Sequence, residues 1–126
     1  MYYSCRRNNF MNGNANIDKD ISALLDTLEI PHHTGYSYLH TALLIAHDQP
    51  RLLAACMENF YAAIAEQYKT SIYHVEEELK HTLTTMFLAG NFKKQQLILH
   101  TLHYKQPSLR DFVKMSLNYI QIKSRE

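Results

Sequence analysis

The run YAAIAEQYKTSIYHVEEELKH, residues 61–81, decides the fold. Ile64 and Tyr68 continue an apolar stripe begun by Leu53, Cys56, Met57 and Phe60. Beyond Lys69-Thr70-Ser71 a second stripe starts, on Ile72, Val75, Leu79, Leu83, Met86 and Phe87. Both repeat every three or four residues, the spacing that places side chains on one face of an α-helix. The polar trio interrupts that spacing and supplies hydroxyls, so Thr70 or Ser71 is the expected N-cap of the second helix. Helix, short turn, helix is the layout of a helix-turn-helix, in which the second helix enters the major groove of DNA. Ordinary helical hairpins share this outline, and periodicity leaves both readings open.

Pro50 suits a first helical position, since its missing N–H would be unpaired there anyway. A long third helix is therefore expected from Pro50 to Tyr68. Upstream, Asp18–Glu29 carries Ile21, Leu24, Leu25 and Leu28 at helical spacing, with acids at the positive amino end and Pro31 just beyond. Residues 36–47 bring Leu39, Ala42, Leu43 and Ala46 onto one stripe and predict a second helix. Downstream, Gly90 is the expected carboxyl-end cap of the fourth helix, residues 71–89. A shorter fifth helix is expected over 93–102 on Leu97, Ile98 and Leu102. A sixth starts at Pro107-Ser108, where Ser108 and Asp111 have capping-box spacing ahead of Leu109, Phe112, Val113, Leu117 and Ile120. The expectation is an all-α, compact six-helix domain over residues 17–126, with no internal repeat. Residues 1–16, with Asn at 8, 9, 12, 14 and 16 and the pair Arg6-Arg7, read as a flexible arm.

Composition supports a folded chain. With 126 residues, 46% of them apolar, it can bury roughly two-thirds of its unfolded surface. Charged residues make up 20% and the formal charge is +1, which excludes a polyelectrolyte or a weakly hydrophobic disordered chain. Cys5 and Cys56 form no C-x-x-C pattern, so neither a disulfide framework nor a cysteine zinc cluster is indicated. No apolar run approaches the roughly 20 residues of a membrane span, and Met1–Gly13 lacks the apolar stretch of a signal peptide. A cytoplasmic protein without membrane contact is expected. Charge is uneven: residues 92–126 hold seven Lys and Arg (93, 94, 105, 110, 114, 123 and 125) against two acids. That cluster suits an anionic partner, and equally the solvated lysines common in helix tails.

Chemistry-bearing patterns are sparse. There is no G-x-S-x-G, G-x-x-x-x-G-K-[ST] or G-x-G-x-x-G, and three glycines cannot build a phosphate-cradling loop, so no catalysis and no cofactor are expected. Glu76-Glu77-Glu78 do not form a catalytic pair, because consecutive helical residues point about 100° apart. Eight histidines include His100 and His103 on one helical face and His32-His33 in a loop. Zinc needs three or four convergent ligands, and no H-E-x-x-H or cysteine set accompanies them, so no metal site is expected. His40 and His47, two turns apart, are expected to flank a packed face.

Pro31, Gly35-Tyr36-Ser37-Tyr38-Leu39, Leu52-Leu53, Tyr61-Ala62-Ala63-Ile64-Ala65 with Tyr68 and Thr70, Val75-Glu76, His81, Gly90-Asn91 and Pro107 to Val113 run in one order. Together, over about residues 17–120, they resemble the carboxyl-terminal DNA-binding effector domain of the stage-zero sporulation response regulator of endospore-forming bacteria. The resemblance implies a six-helix domain whose helix-turn-helix binds double-stranded operator DNA, often as paired copies on tandem sites. Two departures qualify it. In that family the domain follows a phosphoacceptor receiver domain and a linker, whereas a sixteen-residue Asn-rich arm stands here. Control by phosphorylation of a receiver is therefore not expected. The family's reading helix resembles Ser-Arg-Val-Glu-Arg-x-Ile-Arg-His, and here the residues are Tyr73-His74-Val75-Glu76-Glu77-Glu78-Leu79-Lys80-His81. The apolar positions survive and the arginines do not, so operator specificity does not carry over.

Two functions follow from different classes. The first is a stand-alone DNA-binding transcription regulator. In it Thr70 and Ser71 lie near phosphates, Tyr73, His74, Glu77 and His81 face bases, and Glu76 is a further contact candidate. Lys69, Lys80, Lys93 and Lys94 supply electrostatic affinity. The second is a degenerate copy that keeps the fold, has lost groove reading, and acts by protein contacts such as pairing with a full-length relative. The three glutamates motivate it, since Glu77 and Glu78 repel nearby phosphates.

Overall fold

The computed structural model describes residues 14–99 and 106–124. Among the described residues seven helices follow in order: α1 (Asn14–Thr27), α2 (Thr34–Asp48), α3 (Pro50–Ala54), α4 (Met57–Tyr68), α5 (Ile72–Ala89), α6 (Phe92–Leu99) and α7 (Leu109–Ser124). The readings of residues 1–13 as an arm, and those of Cys5, His100, Leu102, His103, Lys105 and Arg125, lie outside the described residues.

α2 is the hub. It packs against α1, α3, α4, α5 and α7, and it buries Tyr38, Leu39, Thr41, Ala42, Leu43, Ile45 and Ala46, a wider apolar surface than the single stripe expected from its sequence. Its first turn meets α5 so closely that a Cβ on Gly35 would collide with Thr82 Oγ1. Glycine here permits two helices to touch, and the small side chain is what the crossing requires.

Two boundaries differ from the sequence expectation. The long helix from Pro50 to Tyr68 is two helices, broken at Ala55 and Cys56, which raises the helix count from six to seven. The break is held from far along the chain: Arg110 donates from Nε to the Leu53 carbonyl at 3.0 Å and from Nη2 to the Ala55 carbonyl at 3.0 Å. These carbonyls at the end of α3 take a guanidinium where a continuous helix would have bonded them to its own amides. The second difference is at the start. Helix α1 begins at Asn14, inside the stretch read as an arm, so Asp18 and Asp20 lie beyond its first turn. Asp18 instead pairs with His40 Nε2 at 2.8 Å across to α2.

Gly90 caps α5 as expected, with φ −82°. A Cβ there would lie 2.6 Å from the Met86 carbonyl and 2.9 Å from Gln95 Nε2. Gln95, 1% exposed, donates to that same carbonyl at 2.7 Å and ties α6 under the end of α5. The Ser108 cap is present, with Oγ accepting from the Asp111 amide at 3.2 Å. His40 is half-buried and also meets Ser22 Oγ at 3.2 Å, while His47 lies on the surface 3.4 Å from Asp48.

Candidate nucleic-acid interface

The site is built from the end of α4, the turn at residues 69–71 and the outer side of α5. α4 closes with Lys69 in the left-handed region, φ 54° and ψ 50°. The Lys69 amide donates to the Glu66 carbonyl at 3.3 Å and the Thr70 amide to the Ala65 carbonyl at 3.0 Å. This paired pattern is the Schellman ending, here with lysine where glycine is usual. Ser71 then caps α5, its Oγ accepting from the His74 amide at 3.0 Å. Thus Ser71, of the two hydroxyl residues offered by the sequence, is the cap; Thr70 is half-buried.

The angle between α4 and α5 is fastened from α2. Tyr68 Oη lies 2.7 Å from Thr41 Oγ1 and donates to the Ser37 carbonyl at 3.2 Å. The Tyr38 ring packs against Tyr68, centroids 4.9 Å apart, and takes His74 edge-on at 5.7 Å. The second helix is thereby held at both its first turn and its middle, where Thr82 faces Gly35.

α5 has two distinct sides. Val75, Leu79, Thr82, Leu83 and Met86 are buried, facing α2 and α4. At about 100° per residue the opposite side is centred on Glu77 and carries Tyr73, His74, Lys80 and His81. All five are exposed, Tyr73 to 70%. Tyr73, His74, Glu77, Lys80 and His81 therefore share one accessible face, as a reading helix requires.

Glu76 stands apart from that face. It is half-buried on the flank and pairs with Lys80, Nζ to Oε2 3.6 Å. Beside it Tyr61 has its phenol pKa raised, first by burial and then by the charge of Glu76, with Arg110 opposing. Glu78 lies half-buried on the other flank. Glu77 has no side-chain hydrogen bond or ion pair among the described residues.

Lys93 and Lys94 are not brought to this face. They sit in the first turn of α6, past Gly90, about 25 Å along the α5 axis from Tyr73. Lys94 Nζ pairs with Glu29 Oε2 at 3.6 Å, at the end of α1. Periodicity does not reach Tyr38 and Thr41, which fasten Tyr68 and His74, or Arg110, which bonds the carbonyls between α3 and α4. Arg110 stood in the basic cluster at the chain's end, and its partners are backbone carbonyls, which leave no mark in a sequence.

Among the described residues no group of three His, Cys, Asp or Glu converges on a point, and no helix is long and apolar enough to cross a membrane. The family profile described as sporulation initiation factor Spo0A C terminal matches residues 21–120, from the second turn of α1 to the last turns of α7. With most of its length matched and the helices in place, this chain belongs to the Spo0A carboxyl-terminal domain family.

Proposed function

We propose that the chain is a non-catalytic DNA-binding transcription regulator of the cytoplasm that lays the outer side of α5 in the major groove. The observation that carries this reading is the shared exposure of Tyr73, His74, Glu77, Lys80 and His81 on one side of a helix that follows a capped turn. Lys69 and Ser71, both exposed in that turn, lie where a phosphate backbone would pass.

Affinity on this reading is modest. With neutral histidines the outer face carries one acid, Glu77, and one base, Lys80, and the latter is shared with Glu76. If Lys69 and Lys80 contact phosphates, log affinity falls with log salt at a slope of about −1.8. Between about 50 and 200 mM salt the loss is then roughly 10-fold. Fluorescence anisotropy with labelled duplex at both concentrations measures it, and absence of binding at about 50 mM overturns the reading.

One observation favours the rival function through protein contacts. α5 bears Glu76, Glu77 and Glu78 against Lys80, a net acidic helix. On that reading the chain alters the DNA occupancy of a full-length relative without binding duplex itself, and a mixing titration separates the two.

A further inference from the structure

We infer that Glu77 is the specificity-determining residue of the face and that it reads cytosine. This deepens the DNA-binding reading and rests on it. Glu77 occupies the middle of the outer side of α5, with Tyr73 one turn before it and His81 one turn after. Its carboxylate is exposed. The one lysine of α5, Lys80, is directed to Glu76 at 3.6 Å. A helix lying in the groove thus brings an uncompensated carboxylate to the base edges.

Such a group discriminates by what it cannot accept. Guanine presents two acceptors in the major groove, O6 and N7, and both repel carboxylate oxygens. Thymine presents O4 and a methyl group. Adenine offers the N6 amino group, but with the N7 acceptor beside it. Cytosine alone offers a donor, N4, with no acceptor next to it on its own edge. A carboxylate at the centre of the face therefore selects cytosine and penalises the other three, whereas on a phosphate path it would be repelled by every sequence alike.

The experiment is selection of bound duplexes from a random pool by the full chain, by Glu77→Ala and by Glu77→Gln, at low salt. Circular dichroism confirms that each variant is folded. The expected wild-type motif contains a cytosine position preferred roughly 5- to 150-fold over the other bases. That position loses its preference in Glu77→Ala while the rest of the motif persists. In Glu77→Gln it moves to adenine, whose N6 and N7 suit an amide. A cytosine preference unchanged in Glu77→Ala, or a motif without cytosine, overturns the inference and leaves DNA binding intact. Failure of all three proteins to enrich or bind any duplex overturns DNA binding and the inference together.

Discussion

Val75, Leu79, Leu83 and Met86 on the inner side of α5 are at most 2% exposed, while Tyr73 on its outer side is 70% exposed. The contrast is chemical as well as geometric. On the inner side the apolar positions of the family's reading helix are kept. On the outer side His74, Glu77 and Lys80 stand where the family pattern resembles arginine. A buried position is constrained by every neighbour it touches, and an exposed one mainly by what binds it. The fold of α5 and its reading chemistry are therefore separable.

The largest expected effect is on the inner side. Leu79→Ala removes a side chain that is 1% exposed and leaves a cavity between α5 and the rest of the core. A loss of about 2–5 kcal/mol is expected in urea unfolding. Tyr73→Ala, on the outer side of the same helix, is expected to change stability by less than about 0.5 kcal/mol. If the two variants unfold alike, the division between the sides fails.

Gly35→Ala tests the contact that holds α5 at its middle. Alanine in a helix ordinarily stabilises by up to about 1 kcal/mol relative to glycine. Here the new Cβ collides with Thr82 Oγ1 and meets Thr82 Cβ at 3.0 Å. Thr82 can turn aside only by releasing its bond to the Glu78 carbonyl, 2.8 Å, in a buried place. Crowding outweighs propensity, and a net loss of about 1–3 kcal/mol is expected. Thr82→Ala added to Gly35→Ala removes the nearest atom and recovers part of the melting temperature; a double variant no better than the single one shows that the crossing is limited by backbone.

The same division separates what is legible in the sequence from what is not. Apolar periodicity fixed which side of α5 faces inward, and so placed Tyr73, His74, Glu77, Lys80 and His81 together on the other. Periodicity is a local signal, and the features it missed are long-range. Nothing in Leu53-Ala54-Ala55-Cys56 breaks a helix, and the carbonyls at the break between α3 and α4 are bonded by Arg110, more than fifty residues away. Gly90 is legible as an end but not as a close approach, because besides the Met86 carbonyl of its own helix it is crowded by Gln95 of another. Lys93 and Lys94 joined the candidate site by charge alone, and charge does not state which end of the molecule it occupies. Asn14 and Asn16 suggested an arm by composition, yet residues nearby, Ile17 and Ile21, are buried and draw the helix back to Asn14.

The smallest expected effect sets the turn at Lys69 against the end of α1. Both helices close on a residue with positive φ that is not glycine, Lys69 at 54° and Glu29 at 62°. Around Glu29 the bonding is the same, with its amide donating to the Asp26 carbonyl at 2.9 Å and that of Ile30 to the Leu25 carbonyl at 3.2 Å. A side chain in this conformation is strained, and replacing it by glycine relieves the strain while making the unfolded chain freer. Lys69→Gly and Glu29→Gly are each expected to gain about 0.5–1 kcal/mol, Glu29→Gly somewhat less because its exposed pair with Lys94 is lost. Their effects on duplex binding are expected to differ. Removing a lysine that meets a phosphate makes the salt slope shallower by about 0.9 and weakens binding to all sequences alike, whereas removing Glu29 leaves the slope unchanged. Lysine at this left-handed position then costs stability in exchange for a charge beside the reading helix. If Lys69→Gly binds duplex with the wild-type slope, the turn does not meet the phosphates, and α5 must approach the groove from its middle, around Glu77.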